Sequence, residues 1–117
     1  MKFAIRTDAS SIIGSGHVMR CLSLADALSH LGNEVMFICK AHNSNLINRI
    51  IDSGYQVISL ALSAKNDIAS PLKHQKWLGG TQHDDAQKTI TAIKSAKIEW
   101  MIVDHYALDK YWHKMIR

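Results

Sequence analysis

The stretch "KFAIRTDASSIIGSGHVMRCLSLADALSHLGNEVMFICK", residues 2–40, runs through a strand, a glycine turn, a helix and a second strand. "KFAIRT" (2–7) is short and apolar and ends at the turn-forming "DASS", which predicts a first strand. Val18, Cys21, Leu22, Leu24, Ala25, Leu28 and Leu31 then share one broad face at helical spacing, and Gly32-Asn33 supplies the stop. The pattern predicts a helix over 17–31. "EVMFICK" (34–40) is apolar without a break, as in a strand covered on both faces. Strand, helix and strand in this order make the unit of a parallel sheet.

Working outward, the alternation continues. "NSNLINRIIDSG" (43–54) has capping residues, a stripe of Leu46, Ile47, Ile50 and Ile51, and a terminal glycine, so it predicts a short helix. "QVISL" (56–60) is a third strand. Residues 61–80 lose periodicity and hold the single proline, Pro71; a connection of that length in a small domain is functional or mobile. From Asp84-Asp85, read as a helix cap rather than an acid/base pair, a third helix runs to about 97. "IEWMIVD" (98–104) is a fourth strand, and "ALDKYWHKMIR" begins another helix that the sequence cuts off in register.

The predicted fold is therefore α/β and Rossmann-like, a parallel sheet with helices on both faces in one domain spanning 1–117. Such sheets bind ligands outside the carboxyl ends of their strands. That singles out Asp8 to His17, Lys40 to Asn45, the 61–80 connection and Asp104-His105-Tyr106.

Composition narrows the function classes. With 47% apolar and 21% charged residues the chain is an ordinary globular domain. A net charge of +4 without like-charge runs disfavours nucleic acid and suits a phosphorylated small molecule. Cys21 and Cys39 sit in apolar segments and read as free buried thiols of a reducing compartment. "MKFAIRTD" is too broken for a signal peptide, and "VMFIC" is far too short to span a membrane, so a cytoplasmic protein is expected. The seven histidines show no H-x-x-x-H or H-E-x-x-H spacing, which disfavours a metal. Trp77, Trp100 and Trp112 read as core or groove packing rather than ring-stacking platforms.

Gly14-Ser15-Gly16-His17 is the most distinctive local feature. It is not a dinucleotide fingerprint, because Met19 takes the third glycine position and the second strand ends in Lys40 instead of an acidic residue. It is not a P-loop either, since His17 follows Gly16 where a lysine and hydroxyl pair is needed. What remains is a loop free to take positive φ that delivers the chain into a helix whose first N–H groups favour an anion. His17 in that first turn is a tight-turn cap or a base, since an uncharged imidazole accepts a proton from water at neutral pH. Arg20, three residues on, either contacts a phosphate or lies on the solvated helix face. Asp104-His105-Tyr106 ends a strand where ligands bind and is a site or a polar turn.

Three blocks carry a resemblance: "FAIRTDASSIIGSGHVMRCLSLADAL", "WLGGTQHDDAQKT" and "WMIVDHYALDKYW". The first, with its pattern R-x-D-x-S-x-x-I-G-x-G-H-x-x-R-C, resembles the N-terminal part of the UDP-sugar hydrolases of pseudaminic acid biosynthesis. The resemblance implies a two-domain glycosyltransferase-B architecture, of which this chain is the first domain, with a C-terminal nucleotide-binding domain missing. It implies UDP-2,4-diacetamido-2,4,6-trideoxy-β-L-altropyranose as substrate, no cofactor, and release of UDP and the free sugar. His17 would be the catalytic base, activating a water that attacks the anomeric carbon with inversion. The amides of Gly14, Ser15, Gly16 and His17 would lie near the leaving diphosphate, with Arg20 as a candidate phosphate contact. Asp8, Asp104, His105 and Tyr106 would line the sugar side of the cleft. Two alternatives stay open: a glycosyltransferase of the same fold that uses an acceptor hydroxyl in place of water, and a non-catalytic sugar- or partner-binding domain.

Overall fold

In the computed structural model, residues 1–9, 14–42, 46–61, 81–105, 108 and 110–116 are described, with the backbone alone for Tyr111. Tyr106, Trp77, Pro71 and the connection beyond Ala61 lie outside the described residues. The elements run β1 (Lys2–Thr7), α1 (Gly16–His30), β2 (Glu34–Lys40), α2 (Ile47–Asp52), β3 (Gln56–Leu60), α3 (Gln82–Ala96), β4 (Trp100–Asp104) and α4 (Lys110–Ile116). All pairings are parallel and the strand order is β3-β2-β1-β4, a Rossmann-like sheet.

Strand alternation decides which helix each strand face meets. Ile5, Phe37, Cys39 and Ile102 pack with Val18, Cys21, Leu22 and Ala25 of α1 and Ile50 of α2. On the other face Ala4, Met36 and Ile38 meet Ala92 and Ile93 of α3, and Met101 and Val103 meet Ala86 and the fully buried Trp112 of α4. The order in which strands are added reverses between β1 and β4, since β2 and β3 follow on one side of β1 and β4 on the other, with Thr7 beside Asp104. That is the topological switch point, where two successive crossovers part to opposite faces and leave a crevice.

Element ends differ from the sequence pattern where caps intervene. Helix α1 closes as a Schellman turn: Gly32, at φ +89°, donates its N–H to Ser29 O, and Asn33 donates to Leu28 O. Helix α3 starts two residues before Asp84, because the Thr81 hydroxyl accepts the Asp84 N–H at 3.0 Å and so takes the capping role. The reading of Asp84-Asp85 as the cap is thereby corrected. Strand β4 starts at Trp100, since Lys97 in the left-handed region and the Ile98 N–H to Ile93 O bond spend those residues on ending α3. Trp112 lies in the core, whereas Trp100, 56% exposed at the start of β4, lines a surface groove with Met101, Val103 and His113.

Candidate functional site

Beyond β1 the chain passes through the glycine loop into α1, so the first turn of that helix stands over the carboxyl ends of β1 and β4. Gly14 takes φ +84°, the left-handed region that a side chain disfavours. Gly16 is already the first residue of the helix, so one glycine of the two uses positive φ. Gly14, Ser15 and Gly16 are exposed, and a methyl group at either glycine would meet nothing within 4 Å.

His17, one residue into α1, turns inward and is 9% exposed. Asp104 closes β4 on the same face, because Ile102, two residues earlier, packs against α1. The His17 Nδ1 atom lies 2.8 Å from Asp104 Oδ1. Burial pushes the Asp104 carboxyl upward, but hydrogen bonds and charge from His17 and Arg20 outweigh it and hold the group below the ordinary carboxylate value. An ionised carboxylate only accepts, so Nδ1 is the donor in this contact, and in the uncharged form of the ring the lone pair then lies on Nε2. Arg20 grips the same carboxylate with Nε at 3.0 Å from Oδ2 and Nη2 at 2.8 Å from both oxygens. The Cys21 thiol completes the set at 3.6 Å from Oδ2; burial, foremost, and Asp104 push its pKa up to about 11, so it is a thiol and not a nucleophile.

A second ionic cluster lies on the opposite face of the same sheet edge and is closed to solvent. Arg6 follows Ala4 on the α3 face of β1, is fully buried, and bridges two carboxylates. Its Nη1 and Nη2 reach Asp8 at 2.6 and 3.1 Å, and its Nε and Nη2 reach Asp85 of α3 at 3.1 and 2.6 Å. Lys40 Nζ lies 2.8 Å from Asp85 Oδ2 as an ion pair, and the Trp112 indole donates to Asp85 Oδ1 at 2.9 Å. Asp8 also accepts from the Lys40 backbone N–H at 2.7 Å and from the ring nitrogens of His105 and His42 at 2.8 and 3.2 Å. Burial alone would raise both carboxyls, yet Arg6 and its neighbours hold Asp85 down at about 2 and Asp8 well below the usual range. Burial lowers His105, which Asp8 offsets only in part, so the ring is neutral near pH 7.

The structure thus brings His17, Arg20 and Asp104 together beside the glycine loop and sends Asp8 and His105 elsewhere. Asp8 is 1% exposed, and its oxygens are taken by Arg6, Lys40 and the two histidines. Among the described residues, no group of three His, Cys, Asp or Glu side chains is arranged to hold a metal ion, and no helix is long and apolar enough to cross a membrane.

Compared with known proteins, the chain is 29% identical over all of its 117 residues to UDP-2,4-diacetamido-2,4,6-trideoxy-beta-L-altropyranose hydrolase of Campylobacter jejuni. It is similar to a UDP-sugar hydrolase. The chain spans 32% of that enzyme's length. It is also 42% identical over 77 residues to an uncharacterized protein of Methanocaldococcus jannaschii, covering 65% of this chain and 15% of that one. No protein-family model matches the sequence.

Sequence reasoning missed the closed cluster, although a signal for it exists. Ala4, Arg6 and Asp8 alternate onto one face of β1, and a central strand of a sheet covered on both sides can hold a cation there only if it is paired. Asp85 falls in register with Thr89 and Ala92 on the buried face of α3, which marks it as an inward carboxylate.

Proposed function

We propose that this chain carries the acid–base half of a UDP-sugar hydrolase, acting on UDP-2,4-diacetamido-2,4,6-trideoxy-β-L-altropyranose in pseudaminic acid biosynthesis. The observation that carries the reading is the His17–Asp104 pair, 2.8 Å apart at the switch point of the sheet beside an open glycine loop. Similarity to the Campylobacter hydrolase over the whole chain supports the substrate class. In the proposed step Nε2 of His17 takes a proton from water, and the oxygen bonds to the anomeric carbon from the side opposite the nucleotide. The bond from that carbon to the diphosphate oxygen breaks, and UDP leaves with the electron pair. Asp104 orients the ring and stabilises the imidazolium as it forms. The amides of Gly14 to His17 and the α1 dipole favour the charge that develops on the diphosphate.

The same reading assigns this chain to the N-terminal half of a glycosyltransferase-B arrangement in the cytoplasm, with the nucleotide held mainly by a C-terminal domain. Tyr106 is proposed on the sugar side. Asp8 and His105 are proposed as support beneath the strand ends, given their burial. The test is incubation of the full-length protein with the UDP-sugar and no acceptor. UDP release that His17→Phe abolishes is the expected result. Release that survives His17→Phe overturns the base assignment, and release that appears only when an acceptor alcohol is added favours a glycosyltransferase.

A further inference from the structure

Arg20 stands out because an arginine 62% exposed in its side chain makes three short contacts to one carboxylate beside the site. We propose that Arg20 is a positioning residue for His17: by gripping Asp104 side-on, it holds the imidazole in the Nδ1–H tautomer with Nε2 as the proton acceptor.

The geometry carries this. Asp104 is the last residue of a strand that pairs with β1 on one side, and the terminal torsion of an aspartate is broad, so the carboxylate by itself could turn. Arg20 contacts both of its oxygens and Cys21 touches Oδ2, which leaves Oδ1 presented to His17. Arg20 and His17 lie three residues apart on one helix face, so the helix itself fixes the distance between the two donors.

The alternative arrangement has Arg20 donating to Nδ1 and the proton on Nε2, which would leave Nε2 unable to accept a proton. The distances decide against it: Nη2 is 3.4 Å from Nδ1, whereas the ionised Asp104 oxygen is 2.8 Å away. Lysine would not substitute, because a point charge cannot grip two oxygens as a planar fork does.

The tautomer follows from this geometry; its catalytic use rests on the hydrolase reading. The test is nitrogen NMR of histidine-labelled protein near neutral pH, with the His17 signals assigned by their loss in His17→Gln. The expected spectrum shows Nδ1 protonated and Nε2 bare. In Arg20→Gln the signals should move to a mixture or to the opposite tautomer, with a partial move in Arg20→Lys. A wild-type ring protonated on Nε2, or a tautomer unchanged in both Arg20 variants, overturns the proposal. With the UDP-sugar, Arg20→Gln should lower kcat roughly 10- to 100-fold with little change in KM. A raised KM at unchanged kcat would put Arg20 on the substrate and overturn the positioning role. The tautomer is read on the resting protein without substrate, so it stands or falls separately from hydrolysis.

Discussion

Asp104 and His105 are consecutive, yet they serve opposite faces of the sheet: one meets His17 at the open edge, the other meets Asp8 inside. The inner cluster sets two cations, Arg6 and Lys40, against two carboxylates, Asp8 and Asp85. Such a group is neutral as a whole but intolerant of losing one member, since the remaining charges are buried and uncompensated. Asp85→Ala is therefore expected to cost about 3–5 kcal/mol, read from urea unfolding. A loss below about 1 kcal/mol would mean that water reaches Arg6 and Lys40. The acid response follows from the same residues. Asp85 is held at about 2, below its ordinary 3.8, so the unfolded chain binds a proton first and stability falls as pH drops from about 5 towards 2. His105 is also depressed, so the folded state resists its protonation and stability begins to fall below about 6.5. Both groups act in one direction, and unfolding midpoints measured between pH 8 and pH 3 should decline steadily, with Asp85→Asn flattening the lower part of the curve.

At the scale of elements, the fold was legible wherever hydrophobic period and turn chemistry agree. β1, β2 and β3 match the sequence reading residue for residue, because each is an apolar run bounded by turn residues. Ends set by single hydrogen bonds were not legible: a threonine hydroxyl starts α3 and a left-handed lysine ends it. The candidate site was legible as a list of strand-end residues, but not as two separate clusters, because pairing across 87 residues, as between His17 and Asp104, leaves no trace in local pattern. The glycine loop gives a sharper contrast. Gly14→Ala must hold a side chain at φ +84° and should cost roughly 1 kcal/mol, whereas Gly16→Ala enters a helix with open space around it and should be neutral or stabilising by up to about 1 kcal/mol. Thermal unfolding of the two variants separates these cases. If a diphosphate approaches this loop, Gly16→Ala should still lower UDP release, since its methyl group fills that approach; equal losses of stability in both variants would contradict the helical placement of Gly16.

For the molecule as a whole, the described residues at the switch point between β1 and β4 bring together His17, Arg20 and Asp104, and among them none is the acidic group that holds a ribose in sheets of this kind. In nucleotide-binding sheets of this kind the ribose is held by an acidic residue at the end of the second strand. Here β2 ends in Lys40, whose ammonium turns inward onto Asp85, 2.8 Å away, and is fully buried. The carboxylates of the sheet edge are also committed, Asp8 to Arg6 and Asp104 to His17 and Arg20. On the proposed hydrolysis, what the described surface would offer a UDP-sugar is the helix start and the His17–Asp104 pair, contacts directed at the bond to be broken and the charge to be released. Interactions of that sort strengthen in the transition state and contribute little to ground-state affinity. Calorimetric titration of this chain with UDP is therefore expected to give a Kd weaker than about 1 mM, corresponding to less than about 4 kcal/mol of binding. Micromolar binding would locate a uridine site on this chain and move the nucleotide from a proposed C-terminal domain onto the sheet described here.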